Sequence, residues 1–467
     1  MYITTTIPYV NARPHLGHAL ELVQADVLAR HHRRRGEPVR FQTGTDDNSL
    51  KNVLAAEAEG VPVRELVDRN AAAFEALRET LDLSFDAFVR TSTHPGHRAG
   101  VERIWRATAH DLYQRHYAGL YCVGCEQFYP EGPCPDGHEA PLQPVSEENW
   151  FFGLSRYRDA LLDLIRTGKL RIEPAARRNE VLAFVEAGLD DISISRSAAR
   201  ARGWGIPVPG DPGQVVYVWW DALANYVTAL GEDYERWWVR EPDKVHLVGK
   251  GVIRFHAVYW PAMLLSAGLP LPSAIFVHDY LTAGGRKISK SSGNAADPAA
   301  LVDAYGADAV RWWLLREVPR VGDADFTEAR LIARADEDLA NGLGNLVNRV
   351  VTMEHRFLDG HVPPAGEPLD GGVAGGVAEA LAGLDFRRAA LAVWTIVEQA
   401  NRYVDRTRPW QQSRSGQEES LGTLVHACRA LAAQLAPFLP TAAARVATAV
   451  SGDRLPAPEP LFPRHAR

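Results

Sequence analysis

Residues 2–7 form a β-branched, apolar-rich run that reads as a strand. Pro8 and Pro14 break it. Leu20, Val23 and Val27 then recur at helical spacing, so the pattern predicts a helix beginning around Leu16. Residues 39–43 read as a second strand, ended by Asp46, and residues 55–81 as helical. Alternation of this kind over residues 1–112 predicts a parallel sheet. It stops over residues 113–214, a turn-rich stretch that carries cysteines, and returns as strands at 215–220, 245–248 and 274–281. The middle stretch therefore reads as an insertion into the sheet domain. From about residue 328 the strands end. Phe386, Ala390, Val393, Val397, Ala400 and Val404 keep a three-to-four spacing, as do Leu421, Leu424, Cys428, Leu431 and Leu435. That is a helical bundle, interrupted by a Gly/Pro-rich linker at 359–376 and followed by a tail at 455–467 with four prolines.

Bulk properties narrow the class only slightly. A chain of 467 residues holds about three domains, and 46% hydrophobic with 23% charged residues is ordinary for a globular protein. No apolar run approaches the roughly 20 residues of a membrane span, and the chain opens directly on a strand. A cytoplasmic protein is expected. The net charge of −7 argues against general nucleic-acid affinity but leaves room for a local basic face.

Lysine usage changes the picture. Lysine supplies 6 of the 51 basic residues, yet two of the six fall in Lys287-Ile288-Ser289-Lys290-Ser291. A compact ammonium on a flexible stem suits the grip of a moving phosphate. Gly284, Gly285 and Gly293 flank the pair, so the segment reads as a mobile loop; the bland alternative is an exposed charged turn. At the other end, strand, loop and helix N-terminus follow one another, an arrangement that favours phosphate. His15 and His18 share one face of the first helical turn and could donate to phosphate oxygens or bind a metal. Gly17 between them lets a flat ligand such as adenine approach the backbone.

Cys122 and Cys125 form a C-x-x-C pair, with Cys134 and His138 close behind. Such a set suits tetrahedral zinc in a reducing compartment, and four protein ligands would leave no position open for chemistry. The alternative is a redox or simply buried cysteine pair. Cys428, on an apolar helical stripe, reads as core.

Together, His15-Leu16-Gly17-His18 and Lys287-Ile288-Ser289-Lys290-Ser291 resemble the paired signatures of class I aminoacyl-tRNA synthetases, in order and separation. Ile7-Pro8-Tyr9-Val10-Asn11, Thr43-Gly44-Thr45-Asp46, Asp191-Ile192-Ser193-Ile194-Ser195-Arg196 and Trp204-Gly205-Ile206-Pro207 narrow the resemblance to the methionyl-tRNA synthetase family. Tyr217-Val218-Trp219-Trp220-Asp221-Ala222, Phe255-His256-Ala257 and Asn401-Arg402-Tyr403-Val404-Asp405 with Pro409-Trp410 add to it. The matches run over about residues 3–440.

The resemblance implies an α/β fold. A Rossmann-like parallel-sheet catalytic domain comes in two halves, 1–112 and 215–327, around an inserted connective domain with a zinc knuckle at 113–214. An α-helical anticodon-binding bundle follows at 328–467. The implied activity is ATP-dependent activation of methionine to methionyl adenylate and its transfer to tRNA(Met), with Mg²⁺ beside ATP and structural Zn²⁺ on Cys122, Cys125, Cys134 and His138. It assigns His15 and His18 to the phosphates, Lys287 and Lys290 to the pyrophosphate, and Asp46 to the substrate ammonium. Ile7, Tyr9, Val218, Trp219, Tyr226 and His278 would wall the side-chain pocket, where aromatic rings suit a thioether. Arg349, Asn401, Arg402 and Trp410 match the anticodon-reading region, and a tryptophan at a helix end can stack on an unpaired base.

Three places depart from the family's pattern. Asp46 is followed by Asp47-Asn48-Ser49 where the family usually ends in His-Gly, Gly251 replaces an aspartate after Gly249-Lys250, and Leu223 replaces a frequent proline. The chain also lacks the additional C-terminal domain of some relatives, so a monomer is expected. These departures leave two alternatives: a paralogue that adenylates for a non-tRNA acceptor or from a different amino acid, and a non-catalytic tRNA-binding relative. A small acceptor would not need the bundle with Trp410. A non-catalytic relative would not need His15, His18, Lys287 and Lys290.

Overall fold

The computed structural model describes residues 1–122, 127–129, 134, 142–288, 296–364, 366, 368–369 and 371–464, with 127–129 and 287 in backbone only. They form two compact units. The first comprises Met1–Pro14, Pro38–Ala76 and Phe85–His278, and the second His15–Glu37, Leu77–Ser84 and Asp279–Arg467.

The first unit is built on strands β1 (Tyr2–Thr5), β2 (Arg40–Thr45), β3 (Ala87–Arg90), β4 (Arg171–Glu173), β5 (Lys244–Gly249) and β6 (Ala274–His278). Their order in the sheet is β3-β2-β1-β5-β6-β4, and every pairing is parallel, as the alternation predicts. Ile3 in β1 registers against Phe41 on one side and Val245 on the other. All four β1 residues are buried, as expected of a parallel strand covered on both faces. Buried Thr5 keeps its hydroxyl satisfied by donating to Thr43 Oγ1 at 2.7 Å. Between β3 and β5 the chain makes a long antiparallel hairpin arm, Leu112–Cys122 against Gln143–Phe152, in register from Leu112↔Phe152 to Tyr121↔Gln143. The helix His97–Ala107 packs on the helix Val218–Thr228 at Gly100, where a Cβ would stand 2.2 Å from Thr228 Cγ2.

Two expectations are corrected here. Residues 215–220 are not one strand: the strand Asp211–Val216 ends, Tyr217 turns, and Val218 opens a helix whose every residue is buried. Its first three residues, Val218, Trp219 and Trp220, are all apolar, and so short an apolar run cannot be told from a strand by its period. Residues 55–81 are not continuous either. Leu50–Glu59, Val63–Glu75 and Leu77–Thr80 are separate helices, because Gly60 takes a left-handed conformation (φ 70°) and Pro62 starts the second one.

The second unit opens on the helix Leu16–Arg34 and ends in the helices Asn345–Leu358, Val373–Ala382, Phe386–Thr407, Arg414–Leu435 and Pro440–Ala449. The two apolar stripes predicted in Phe386–Thr407 and Arg414–Leu435 are buried. Leu281–Ala283 and Arg286–Lys287 form a hairpin that leads into the lysine pair, and residues 289–295, most of the expected loop, lie outside the described residues. Gly284 and Gly285 make the hairpin's turn with φ of 62° and 74°, the left-handed pair that a two-residue hairpin needs. No helix among the described residues is long and apolar enough to cross a membrane.

Candidate functional site

In the first unit, residues with chemistry gather beyond the carboxyl ends of the parallel strands, where open α/β sheets bind ligands. Ile7 and Tyr9 follow β1, Asp46 follows β2, Lys250 follows β5, and His278 ends β6. Tyr9 and Asp46 face each other as an isolated parallel bridge, and Asp46 N–H donates to the Pro8 carbonyl at 2.9 Å. Ile7, Val218, Trp219 and Tyr226 belong to one buried apolar cluster with Tyr9 packed against it. Trp219 stacks on Phe255 at 3.8 Å and 5°, and lies 6.0 Å from the Tyr9 ring. Its indole Nε1 is buried and meets no acceptor among the described residues. Lys51 Nζ lies 5.0 Å from the Tyr9 ring centroid, within cation–π range. His278 is buried at the foot of β6, its ring 3.4 Å from where a Cβ on Gly249 would stand.

Tyr226 is oriented by a residue that the sequence reading placed in a motif but not in the site. His256 Nδ1 donates to the Val252 carbonyl at 2.9 Å, so its Nε2 is the acceptor that meets the Tyr226 hydroxyl at 2.8 Å. Burial pushes the His256 imidazolium down to about 4, which keeps the ring neutral and this tautomer in place. The signal that could have found it is the pair Phe255-His256, both of which touch Trp219.

A polar network lies beside the cluster. Asp46 Oδ1 accepts the Asn48 backbone N–H at 3.1 Å, and Asn48 Nδ2 donates to Asp221 Oδ2 at 2.7 Å. The other Asp221 oxygen meets His97 Nε2, while His97 Nδ1 meets Thr228 Oγ1 at 2.6 Å. Asp221 and His97 are fully buried. Next to them, Asp47 is held by Arg90 and Ser92; burial raises its carboxyl above the usual range against the pull of both partners.

In the second unit, His15 is the N-cap of Leu16–Arg34. Its Nδ1 accepts the Gly17 N–H at 3.1 Å, and His18 Nδ1 accepts the His15 N–H at 3.1 Å, a reciprocal capping box made of two imidazoles. A backbone N–H can only donate, so both rings carry their proton on Nε2. Lys287 lies in the short strand Arg286–Lys287, and Lys290 falls outside the described residues. In the bundle, Asn401 and Arg402 line a cavity of about 360 Å³ together with Trp394, Glu337 and Glu398. Arg349 pairs with Asp405 at 3.4 Å, and Trp410 stands 45% exposed in the short helix Pro409–Gln411. Of the candidate zinc ligands, Cys122 and Cys134 are buried, whereas Cys125 and His138 lie outside the described residues. Among the described residues no group of three or more His, Cys, Asp or Glu is placed to hold a metal.

The chain matches the family described as tRNA synthetases class I (M) over residues 1–141 and 137–351, and it belongs to that family. Its relatives there are methionine–tRNA ligases. That of Brucella suis biovar 1 (strain 1330) is 40% identical over 510 residues, covering 99% of this chain and 98% of the other. That of Thermosynechococcus vestitus (strain NIES-2133) is 41% identical over 476 residues, covering 94% and 87%. Mycobacterium tuberculosis methionyl-tRNA synthetase in complex with methionyl-adenylate superposes with a TM-score of 0.91 at 38% identity, over 99% of each chain.

Proposed function

We infer that this chain is a methionine–tRNA ligase, which activates methionine with ATP to methionyl adenylate and transfers the aminoacyl group to tRNA(Met). One observation carries the amino-acid assignment: Trp219, with an indole N–H lacking an acceptor among the described residues, stacks on Phe255 and neighbours Tyr9, the residue that bridges to the buried Asp46. Stacked aromatic rings make favourable contacts to a thioether, and Asp46 supplies the counter-charge for an ammonium. A methionine carboxylate oxygen attacks the α-phosphorus of ATP, and the bond to pyrophosphate breaks. A ribose hydroxyl at the tRNA 3′ end then attacks the acyl carbon, and AMP leaves.

In this reading Ile7, Tyr9, Val218, Trp219, Tyr226 and His278 wall the amino-acid pocket. His15 and His18 offer Nε2–H donors to the phosphates, and Lys287 and Lys290 neutralise the pyrophosphate as it departs; positioning and charge account for most of the rate. Mg²⁺ accompanies ATP and offsets phosphate charge. Residues 1–112 and 215–327 supply the catalytic halves, 113–214 the connective insertion, and 328–467 the anticodon-binding bundle with Arg349, Asn401, Arg402 and Trp410. Two buried thiols support a zinc knuckle, and three cysteines with one histidine suit tetrahedral zinc. Cys122, Cys125, Cys134 and His138 would hold it, for structure only; metal analysis finding less than about half an equivalent would exclude it. The protein acts in the cytoplasm as a monomer, the latter checked by sedimentation.

The test is amino-acid-dependent exchange of labelled pyrophosphate into ATP across all twenty amino acids, with and without tRNA. Exchange with methionine alone is expected. Exchange with another amino acid, or with none, overturns the assignment.

A further inference from the structure

Asn48 holds two buried carboxylates at once. Its backbone N–H closes an Asx turn on Asp46 Oδ1 at 3.1 Å, which fixes where that side chain points. Its side-chain amide donates to Asp221 Oδ2 at 2.7 Å, across 173 positions of sequence. Asp221 lies in the first turn of Val218–Thr228, the helix that carries Val218, Trp219 and Tyr226. His97 grips that helix at both ends, through Asp221 and through Thr228 Oγ1. The loop backbone is held separately: Asn52 Nδ2 donates to the Asp46 and Asp47 carbonyls at 3.1 and 2.8 Å, and Trp204 Nε1 to the Asp47 carbonyl at 2.7 Å. Loop and helix are thus each held by bonds of their own, and the Asn48 amide joins them.

We propose that Asn48 is a positioning residue for the amino acid, setting the register between the carboxylate that meets the substrate ammonium and the aromatic helix that meets its side chain. The proposal rests on the methionine reading above. The ammonium and sulfur of methionine are separated by a short chain of bonds, so the two subsites must keep a fixed spacing, and a misplaced pair can grip only one end of the amino acid, which weakens its binding. Asp221 is fully buried, so losing the amide would leave one of its oxygens without a donor and drive the helix or the loop to shift. On the same reading the ATP phosphates are met by other residues, so the defect should fall on methionine alone.

In pyrophosphate exchange, Asn48→Ala should raise the KM for methionine by roughly tenfold or more, with the KM for ATP within about twofold of the parent. Asn48→His, whose ring N–H can reach the same carboxylate, should recover most of the loss. Equal rises in both KM values, a fall in kcat with both KM values unmoved, or no recovery with His would each overturn the proposal. Should Asn48→Ala fail to fold, Asn48→Ser gives the same readout. Parent protein that exchanges with a different amino acid would overturn the methionine reading, and the proposal would then stand or fall on the KM for that amino acid.

Discussion

The imidazoles of His15 and His18 lie face to face, ring centroids 3.8 Å apart and planes 19° from parallel, each with its Nδ1 on a backbone N–H of the first helical turn. The two rings therefore cap the helix and, in the same geometry, present Nε2–H as a donor. Structure and chemistry rest on opposite nitrogens of one ring, so they can be separated by substitution. Asn at position 15 can accept the Gly17 N–H as a cap but offers no imidazole Nε2–H. His15→Asn should keep thermal stability within about 0.5 kcal/mol and lose roughly 100-fold or more in pyrophosphate exchange. His15→Ala should lose a comparable amount of activity and about 1 kcal/mol of stability besides. Calorimetry beside exchange kinetics decides it: a stable, fully active Asn variant would mean that the ring serves only as a cap.

How much of this was legible depended on range. The strand β1 and the helix beginning at Leu16 are local, marked by apolar spacing and by the prolines between them. The buried helix Val218–Thr228 was misread at its start because Val218, Trp219 and Trp220 are apolar on every side and carry no period. The bond between Asn48 and Asp221 has no local signature at all, since it joins positions 173 apart. Resemblance drew attention to Asn48 only as a departure, whereas the geometry shows what it touches. Gly284-Gly285 was punctuation for a loop in sequence and a left-handed hairpin turn in the structure, a difference set by strand pairing with Thr282 and Ala283.

Glu354 predicts an unusual pH dependence. Its side chain is fully buried in the bundle, and neither carboxylate oxygen has a hydrogen-bond partner among the described residues. Burial pushes its carboxyl from 4.5 up to about 7, with Arg429 pulling the other way. Between those values the unfolded chain ionises Glu354 while the folded chain keeps it protonated. The folded state then binds more protons, so stability falls as pH rises through the window, by on the order of 3 kcal/mol. Glu354→Gln removes the titration at nearly constant shape. It should stabilise the protein at about pH 8 by on the order of 2–3 kcal/mol and change little near pH 4.5. Equal effects at both pH values in thermal melts would reject the account.

Trp410 is 45% exposed although it is among the largest apolar side chains in the chain. Arg408 at φ 47° and Pro409 set the direction of the short helix that presents it. Nearly half of the residue faces water and is available to stack. Trp410→Ala should cost on the order of 1–2 kcal/mol of stability and leave exchange unaltered, while raising the KM for tRNA roughly tenfold or more. Aminoacylation kinetics with tRNA as the varied substrate make the comparison, and an unchanged KM would show that the ring contacts no base.

Arg311 holds the second unit together from inside. It has 0% exposure, and its guanidinium donates to Asp26 Oδ2 at 2.8 Å, to the Phe438 carbonyl at 2.8 Å and to the Leu81 carbonyl at 2.9 Å. Asp26 is equally buried, and it also accepts Arg30 Nε at 2.8 Å and the Ser84 N–H and hydroxyl at 2.7 and 2.6 Å. Both ions are thus saturated, the condition under which a buried pair is tolerated and the removal of one partner is costly. Asp26→Ala should cost about 3–5 kcal/mol, because it strands a guanidinium that has no route to water. Arg311→Lys keeps the charge but loses the planar fork, so it cannot serve the carboxylate and several carbonyls at once, and a cost of at least about 2 kcal/mol is expected. Urea denaturation compares the two. If lysine substituted without loss, the carbonyl bonds would contribute nothing and charge alone would hold the helix Leu16–Arg34 in place.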